Sequence, residues 1–367
     1  MTQLNIDCEG PLTQNDNAFE LCREFIPNGD KFFALISKYD DFLADVIKKP
    51  GYKAGDTLKL VLPFLKAFDV TDEIMEEFSE KTLLLLPGTE VMLPRLNEIL
   101  PSFIISTSYR PYLKALSNLT SFPIENCFCT QVSLDKYELP LEEKEMLKKL
   151  AEKIASFDMI EWSDDESGIE GLSTKDQQTV KELDRIFWQL LPNLSSGKIL
   201  EDVNPIGGVE KAKSIIASLK KSGLKESDVI YAGDSITDCQ ALELVRKAKG
   251  AAISFNGNRY AIREAEYAIL SENTCIIAGL CCLLKEKGIR RLDSYKSFDN
   301  GLLDIEKIVK DVEPFTPSDI FSQIANLFSA KGLLEIYRIK DTNKKRLIEK
   351  SEQIRKEVRG QKIGDLG

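Results

Sequence analysis

Four short apolar runs, Leu4 to Asp7, Phe103 to Ser106, Val229 to Asp234 and Ala251 to Phe255, run into polar or acidic residues and then into helical patterns. Strands buried on both faces read as continuous apolar runs, because helices cover the sheet and only the strand ends meet solvent. The pattern predicts a doubly wound α/β core of parallel strands with its site at their C-terminal ends.

The spacing of these runs leaves room for two insertions and a tail. After the first strand, Ala18, Leu21, Cys22 and Phe25 follow the i, i+3, i+4, i+7 spacing of an amphipathic helix. Phe32 to Leu43 and Leu58 to Phe68 continue the pattern on either side of Pro50-Gly51, so residues 14–85 are expected to form a helical cap between core segments 1–13 and 86–122. A second insertion, mixed and mostly helical, is expected over 123–205, with alternation around Cys127 to Val132, then charged helices and a loop at Ser163 to Gly171, before the core resumes at 206–290. From 291 to 367 the sequence turns to charged helical patterns, read as extra C-terminal helices without evident catalytic chemistry.

Composition excludes several function classes. The chain of 367 residues has no histidine, which rules out Ser-His-Asp triads, Cys-His pairs and His-ligated zinc. A net charge of -10 argues against an anionic polymer as partner, so no nucleic acid is expected. No apolar run approaches the roughly 20 residues that span a bilayer, and the start lacks a basic, then apolar, leader. The expectation is a cytoplasmic protein without membrane insertion. Its eight cysteines form no CxxC pair and are read as reduced, mostly buried thiols.

The chemistry that remains belongs to carboxylates, hydroxyls, lysines and oxygen-bound metals. Asp7 and Glu9 flank Cys8 where the first strand ends, and Gly10 follows, so one acid can attack while the other handles protons. An ordinary solvated loop would look the same in isolation. Ser106-Thr107-Ser108 could meet a phosphate oxygen, although capping a helix that begins near Pro111 is the simpler account. Lys211 stands in the first turn of a helix opened by Gly207-Gly208, where the helix dipole disfavours a cation. A facing anion would explain it; a solvated surface lysine is the alternative. Gly233-Asp234 and then Asp238 place two acids on one rim, a donor set that suits Mg²⁺.

In this order the four segments resemble those of the haloacid dehalogenase (HAD) superfamily of phosphotransferases, in its phosphoserine-phosphatase-like branch with a helical cap. The resemblance implies Asp7 as nucleophile, Glu9 as acid/base with its carbonyl on the metal, and Ser106 and Lys211 holding the transferred phosphate. It also implies Asp7, Glu9, Asp234 and Asp238 as the metal set for Mg²⁺, with Asp238 bound directly or through water. Glu9 stands where the family usually has aspartate, and Pro11 where threonine is common, which places the acid/base carboxyl about 1.5 Å farther from the backbone. The whole pattern is also similar to archaeal HAD proteins labelled as an accessory subunit of energy-converting hydrogenase A.

Two functions are therefore expected as alternatives. One is Mg²⁺-dependent hydrolysis of a small phosphorylated metabolite through an aspartyl-phosphate on Asp7. The other is a weakly active or inactive accessory subunit of a larger assembly that docks a protein partner through its second insertion or its C-terminal extension. Arg23, Lys31 and Arg110 are candidate substrate contacts, and a homo-dimer is left open.

Overall fold

The computed structural model describes residues 1–162, 168–364 and 366. Part of the loop expected at Ser163 to Gly171, residues 163–167, lies outside the described residues. Among the described residues the sheet has seven strands: β1 (Gln3–Ile6), β2 (Ser102–Tyr109), β3 (Cys127–Thr130), β4 (Val229–Gly233), β5 (Ala251–Phe255), β6 (Tyr267–Ser271) and β7 (Leu334–Arg338). They lie in the order β3-β2-β1-β4-β5-β6-β7, all neighbours parallel except β6 and β7. This is the expected α/β architecture, a mostly parallel sheet with helices on its faces.

Register decides where the site falls. Leu4 pairs with Ile230 and Ile6 with Ala232, so β1 and β4 end side by side and deliver Asp7 and Asp234 to the same edge. The Asp7 N–H continues the ladder by donating to the Ala232 carbonyl at 2.9 Å. From β1 the chain steps outward to β2 on one side and to β4 on the other, and this switch point opens the crevice in which doubly wound sheets bind ligands.

The two insertions form one body. Phe32, Phe64 and Leu65 from the first share a buried apolar cluster with Leu147, Ile154 and Phe187 from the second. The Phe64 and Phe187 rings lie 6.2 Å apart, edge to face, a favoured geometry for aromatic pairs. Neither set of helices can bury its apolar stripe alone, so each completes the other. Helix Asn17–Phe25 is capped by Asp16, whose side chain accepts from the Phe19 N–H. The helix expected over Leu58 to Phe68 is two short ones, Thr57–Leu60 and Leu62–Ala67, with Pro63 in the first turn of the second.

Two regions depart from the reading above. The alternation around Cys127 to Val132 is a strand of the core sheet, β3 paired with β2, so the core extends into the region assigned to the second insertion. The C-terminal extension is not helical throughout: β7 runs antiparallel to β6 from Tyr267↔Arg338 to Ser271↔Leu334 and covers that edge of the sheet. Behind it, helix Asp341–Arg359 packs Leu347 and Ile354 against Ile262 and Leu270. On the same face Ser351, Arg355 and Arg359, spaced i, i+4, are buried. The extension thus sends two arginines into the core, where sequence reading placed no chemistry.

Candidate functional site

Asp7, Asp234 and Asp238 each offer one carboxylate oxygen within 4.8 Å of the others, and all three are buried. Asp234 leaves the end of β4, and the turn Ile236–Asp238 folds the second acid back beneath it. The Asp238 Oδ2 accepts from the Asp234 and Ser235 N–H groups at 2.9 and 3.0 Å. Its Oδ1 accepts from Lys211 Nζ at 2.7 Å and the Tyr231 hydroxyl at 2.6 Å. Burial alone would raise the Asp238 carboxyl, but Lys211, Tyr231 and the backbone donors outweigh it and leave the pKa below the ordinary aspartate range.

Lys211 is fully buried and bridges Asp238 and Asp7, with its Nζ 2.7 Å from Asp7 Oδ2 as well. The solvated-surface alternative for this lysine is therefore set aside. Burial opposes its charge, yet two carboxylates at contact distance raise its pKa above the usual lysine value. Asp7 also accepts from the Cys8 N–H at 2.7 Å. Desolvation, offset in part by Lys211 and reinforced by Asp238 and Asp234, pushes its carboxyl up to about 8.

The extension supplies the remaining cations. Arg355 donates to Asp234 Oδ2 and, at 3.2 Å, to the Asp234 carbonyl; Arg359 reaches the same Oδ2 at 3.1 Å. Arg359 also donates to the carbonyls of Gln14 and Asn15, which ties the helix to the loop after Asp7. Three aspartates thus face one lysine and two arginines, and the core of the cluster is charge-balanced. Gly10, at φ 104°, is needed beside it, because a Cβ there would overlap the Asp234 carboxylate.

A cavity of about 80 Å³ lies over this cluster, walled by Asp7, Glu9, Thr107, Asp234, Arg355 and Arg359, with cap residues such as Asp40 opposite. It has room for several waters or one tetrahedral oxyanion. Glu9 is partly buried, and its Oε1 accepts from the Asn17 N–H at 2.8 Å, at the start of the first cap helix. Burial, and next to it the charge of Asp16, raises its carboxyl well above the usual glutamate range.

Ser106 is buried but does not line this cavity; its neighbour Thr107 does. The Ser106 hydroxyl pairs with Ser108 at 3.0 Å, and the following helix takes Tyr109 as its N-cap without a side-chain bond, so these hydroxyls do not cap it. Arg23, Lys31 and Arg110 are exposed and line none of the cavity, which corrects their candidacy as substrate contacts at this site. The arginines that do line it, Arg355 and Arg359, were missed. Their signal was present as charged residues in register with Leu347 and Ser351 on one helical face.

Oxygen donors of the kind Mg²⁺ takes are present. Among the described residues neither Asp234 Oδ1 nor the Glu9 carbonyl accepts a hydrogen bond, Asp7 and Asp234 each offer an oxygen to one cluster, and Glu9 stands two residues after Asp7. Asp7, Asp234 and the Glu9 carbonyl therefore fit such an ion. Asp238, with both oxygens engaged, fits it through water.

Fold and site together define a doubly wound α/β protein whose strand ends gather three aspartates, a lysine and two arginines beneath a helical cap. Among solved structures, the chain resembles gene product AF1437 from Archaeoglobus fulgidus at 27% identity and a TM-score of 0.75, covering 100% of this chain and 99% of that one. Substrate-bound phosphoserine phosphatase aligns at 13% identity with a TM-score of 0.43 over 76% of this chain and 97% of its own, too weak a likeness to carry function. No protein-family model and no curated protein matches the chain. Among the described residues no helix is long and apolar enough to cross a membrane.

Proposed function

We propose that the chain is a phosphatase of the HAD type that hydrolyses a small phosphomonoester through an aspartyl-phosphate on Asp7. The observation that carries this reading is the buried Lys211, held 2.7 Å from both Asp7 and Asp238 at the end of adjacent parallel strands. A solvated or structural lysine has no need of that position; a site that must receive a dianion beside carboxylates does.

In this mechanism an Asp7 oxygen attacks phosphorus, the bond to the leaving oxygen breaks, and Glu9 gives that oxygen its proton. Water, losing a proton to Glu9, then attacks the aspartyl-phosphate, and orthophosphate leaves as Asp7 is regenerated. Burial, which pushes the Glu9 carboxyl above the usual glutamate range, supports its role as the acid. Lys211 neutralises charge on the transferred group and keeps Asp7 oriented, while Asp238 positions Lys211. Mg²⁺, held by Asp7, Asp234 and the Glu9 carbonyl, would supply the positive charge that keeps Asp7 ionised and withdraws charge from the phosphate. Ser106 would act from behind Thr107, by ordering the loop.

One observation favours the second reading, an accessory subunit with little or no turnover: the Glu9 carboxylate is already committed to the Asn17 N–H. Release of phosphate from a panel of small phosphomonoesters, with Mg²⁺ and with chelator, separates the two. Metal-dependent turnover lost in Asp7→Asn supports the phosphatase. Turnover that survives Asp7→Asn, or none in the wild type, overturns it, and the latter outcome favours the accessory subunit.

A further inference from the structure

We infer that the C-terminal helix Asp341–Arg359 completes the oxyanion site, with the Arg355 guanidinium as a direct ligand of the bound phosphate group and Arg359 as its anchor. The inference rests on the reading of Asp7 as the phosphate-receiving residue and adds a binding residue from outside the core that carries the motifs.

The two arginines differ in what they leave unpaired. Arg359 uses Nε on the Gln14 carbonyl and its two other nitrogens on Asp234 and the Asn15 carbonyl, so each of its nitrogens already has an acceptor that holds the helix in place. Arg355 is 2% exposed and lines the cavity beside Asp7, yet its Nε has no hydrogen-bond partner among the described residues. Its remaining donors reach Asp234 and, at 3.4 Å, the Leu366 carbonyl. A buried guanidinium with a donor to spare is costly unless an acceptor arrives.

Charge is shared unevenly around Arg355. Two guanidinium groups share the Asp234 carboxylate, with Asp16 also facing both from the cavity wall, while Lys211 is held between Asp7 and Asp238. A tetrahedral oxyanion in the cavity over Asp7 would meet the Arg355 guanidinium, which lines the same cavity. The planar fork of arginine suits two oxygens of one phosphate better than an ammonium does.

The test is calorimetric titration of the 367-residue chain with orthophosphate, in Mg²⁺ and in chelator, on wild type, Arg355→Ala and Arg355→Lys. Arg355→Ala is expected to weaken binding about tenfold or more in both conditions. Arg355→Lys should recover part of the loss, and millimolar guanidinium should restore binding to Arg355→Ala, which a purely structural role would not allow. Wild-type affinity in Arg355→Ala overturns the inference. So does a loss that neither lysine nor guanidinium repairs. If Arg355→Ala fails to fold, Arg355→Lys carries the test, and full wild-type affinity there overturns it. A wild-type chain that neither binds phosphate nor turns over removes the parent reading and the inference with it; turnover together with unchanged binding in the variants removes the inference alone.

Discussion

Replacing Lys211 by methionine keeps the length of the side chain and removes the one cation that touches both Asp7 and Asp238. The lysine is fully buried and lies 2.7 Å from each carboxylate, so the change leaves two desolvated acids without their shared partner. Breaking a buried ion pair from one side costs about 3–5 kcal/mol. The lower end applies here, because Asp238 keeps the Tyr231 hydroxyl and two backbone N–H donors, and Asp7 can take up a proton. A loss of about 3 kcal/mol corresponds to a melting temperature lower by about 4 °C for a chain of this size. Thermal unfolding followed by circular dichroism measures it. The double variant Lys211→Met with Asp238→Asn should be less destabilised than the sum of the single variants by about 1 kcal/mol or more, because both remove one interaction. A Lys211→Met protein that melts with wild type, or strict additivity in the double variant, would refute the assignment of Lys211 as the electrostatic centre of the cluster.

Gly10→Ala forces an alanine to φ 104° and drives its Cβ into the Asp234 carboxylate, so a loss of about 2–4 kcal/mol is expected in the same melting assay; an unchanged melt would mean the loop relaxes freely. Asp40, which accepts from the Tyr52 hydroxyl and the Gly55 N–H, is pushed by burial from 3.8 up to about 7. The folded chain therefore binds that proton more tightly, and stability from this group falls as pH rises from about 4 to about 7, by up to about 1.4 kcal/mol per pH unit. Asp40→Asn should flatten that slope in melts across the range, and an identical slope would contradict it. Removing residues 292–367 takes away β7, which pairs along five residues of β6, together with both arginines on Asp234. The truncated chain is expected to be insoluble or unfolded when expressed, and a soluble, cooperatively melting product would show that the extension is dispensable.

The core strands were legible because burial on both faces leaves an unbroken apolar signature, as at Val229 to Gly233. The strands that escaped notice carry weaker signals. β7 is five residues long and alternates Leu334 and Ile336 with Glu335 and Tyr337, a pattern that charged helices on either side obscure. The Ser106 cluster misled in a different way: Ser and Thr before a proline-led helix suit an N-cap, but β2 continues through them to Tyr109 and the helix begins uncapped by any side chain.

Local sequence determined the chemistry available at this site, since a chain without histidine that places acids at the ends of apolar strands has few other groups to use. It also determined that Asp7 and Asp234 would share an edge, because parallel strands of a doubly wound sheet all end on one side. Tertiary structure alone decided how their charge is balanced. Lys211 and Asp7 are remote in sequence, and Arg355 reaches Asp234 across 121 residues, so no local pattern records either contact. In a buried site the energy of a charge depends on which opposite charge lies within a few ångströms, and that distance is set by packing of the extension against the sheet.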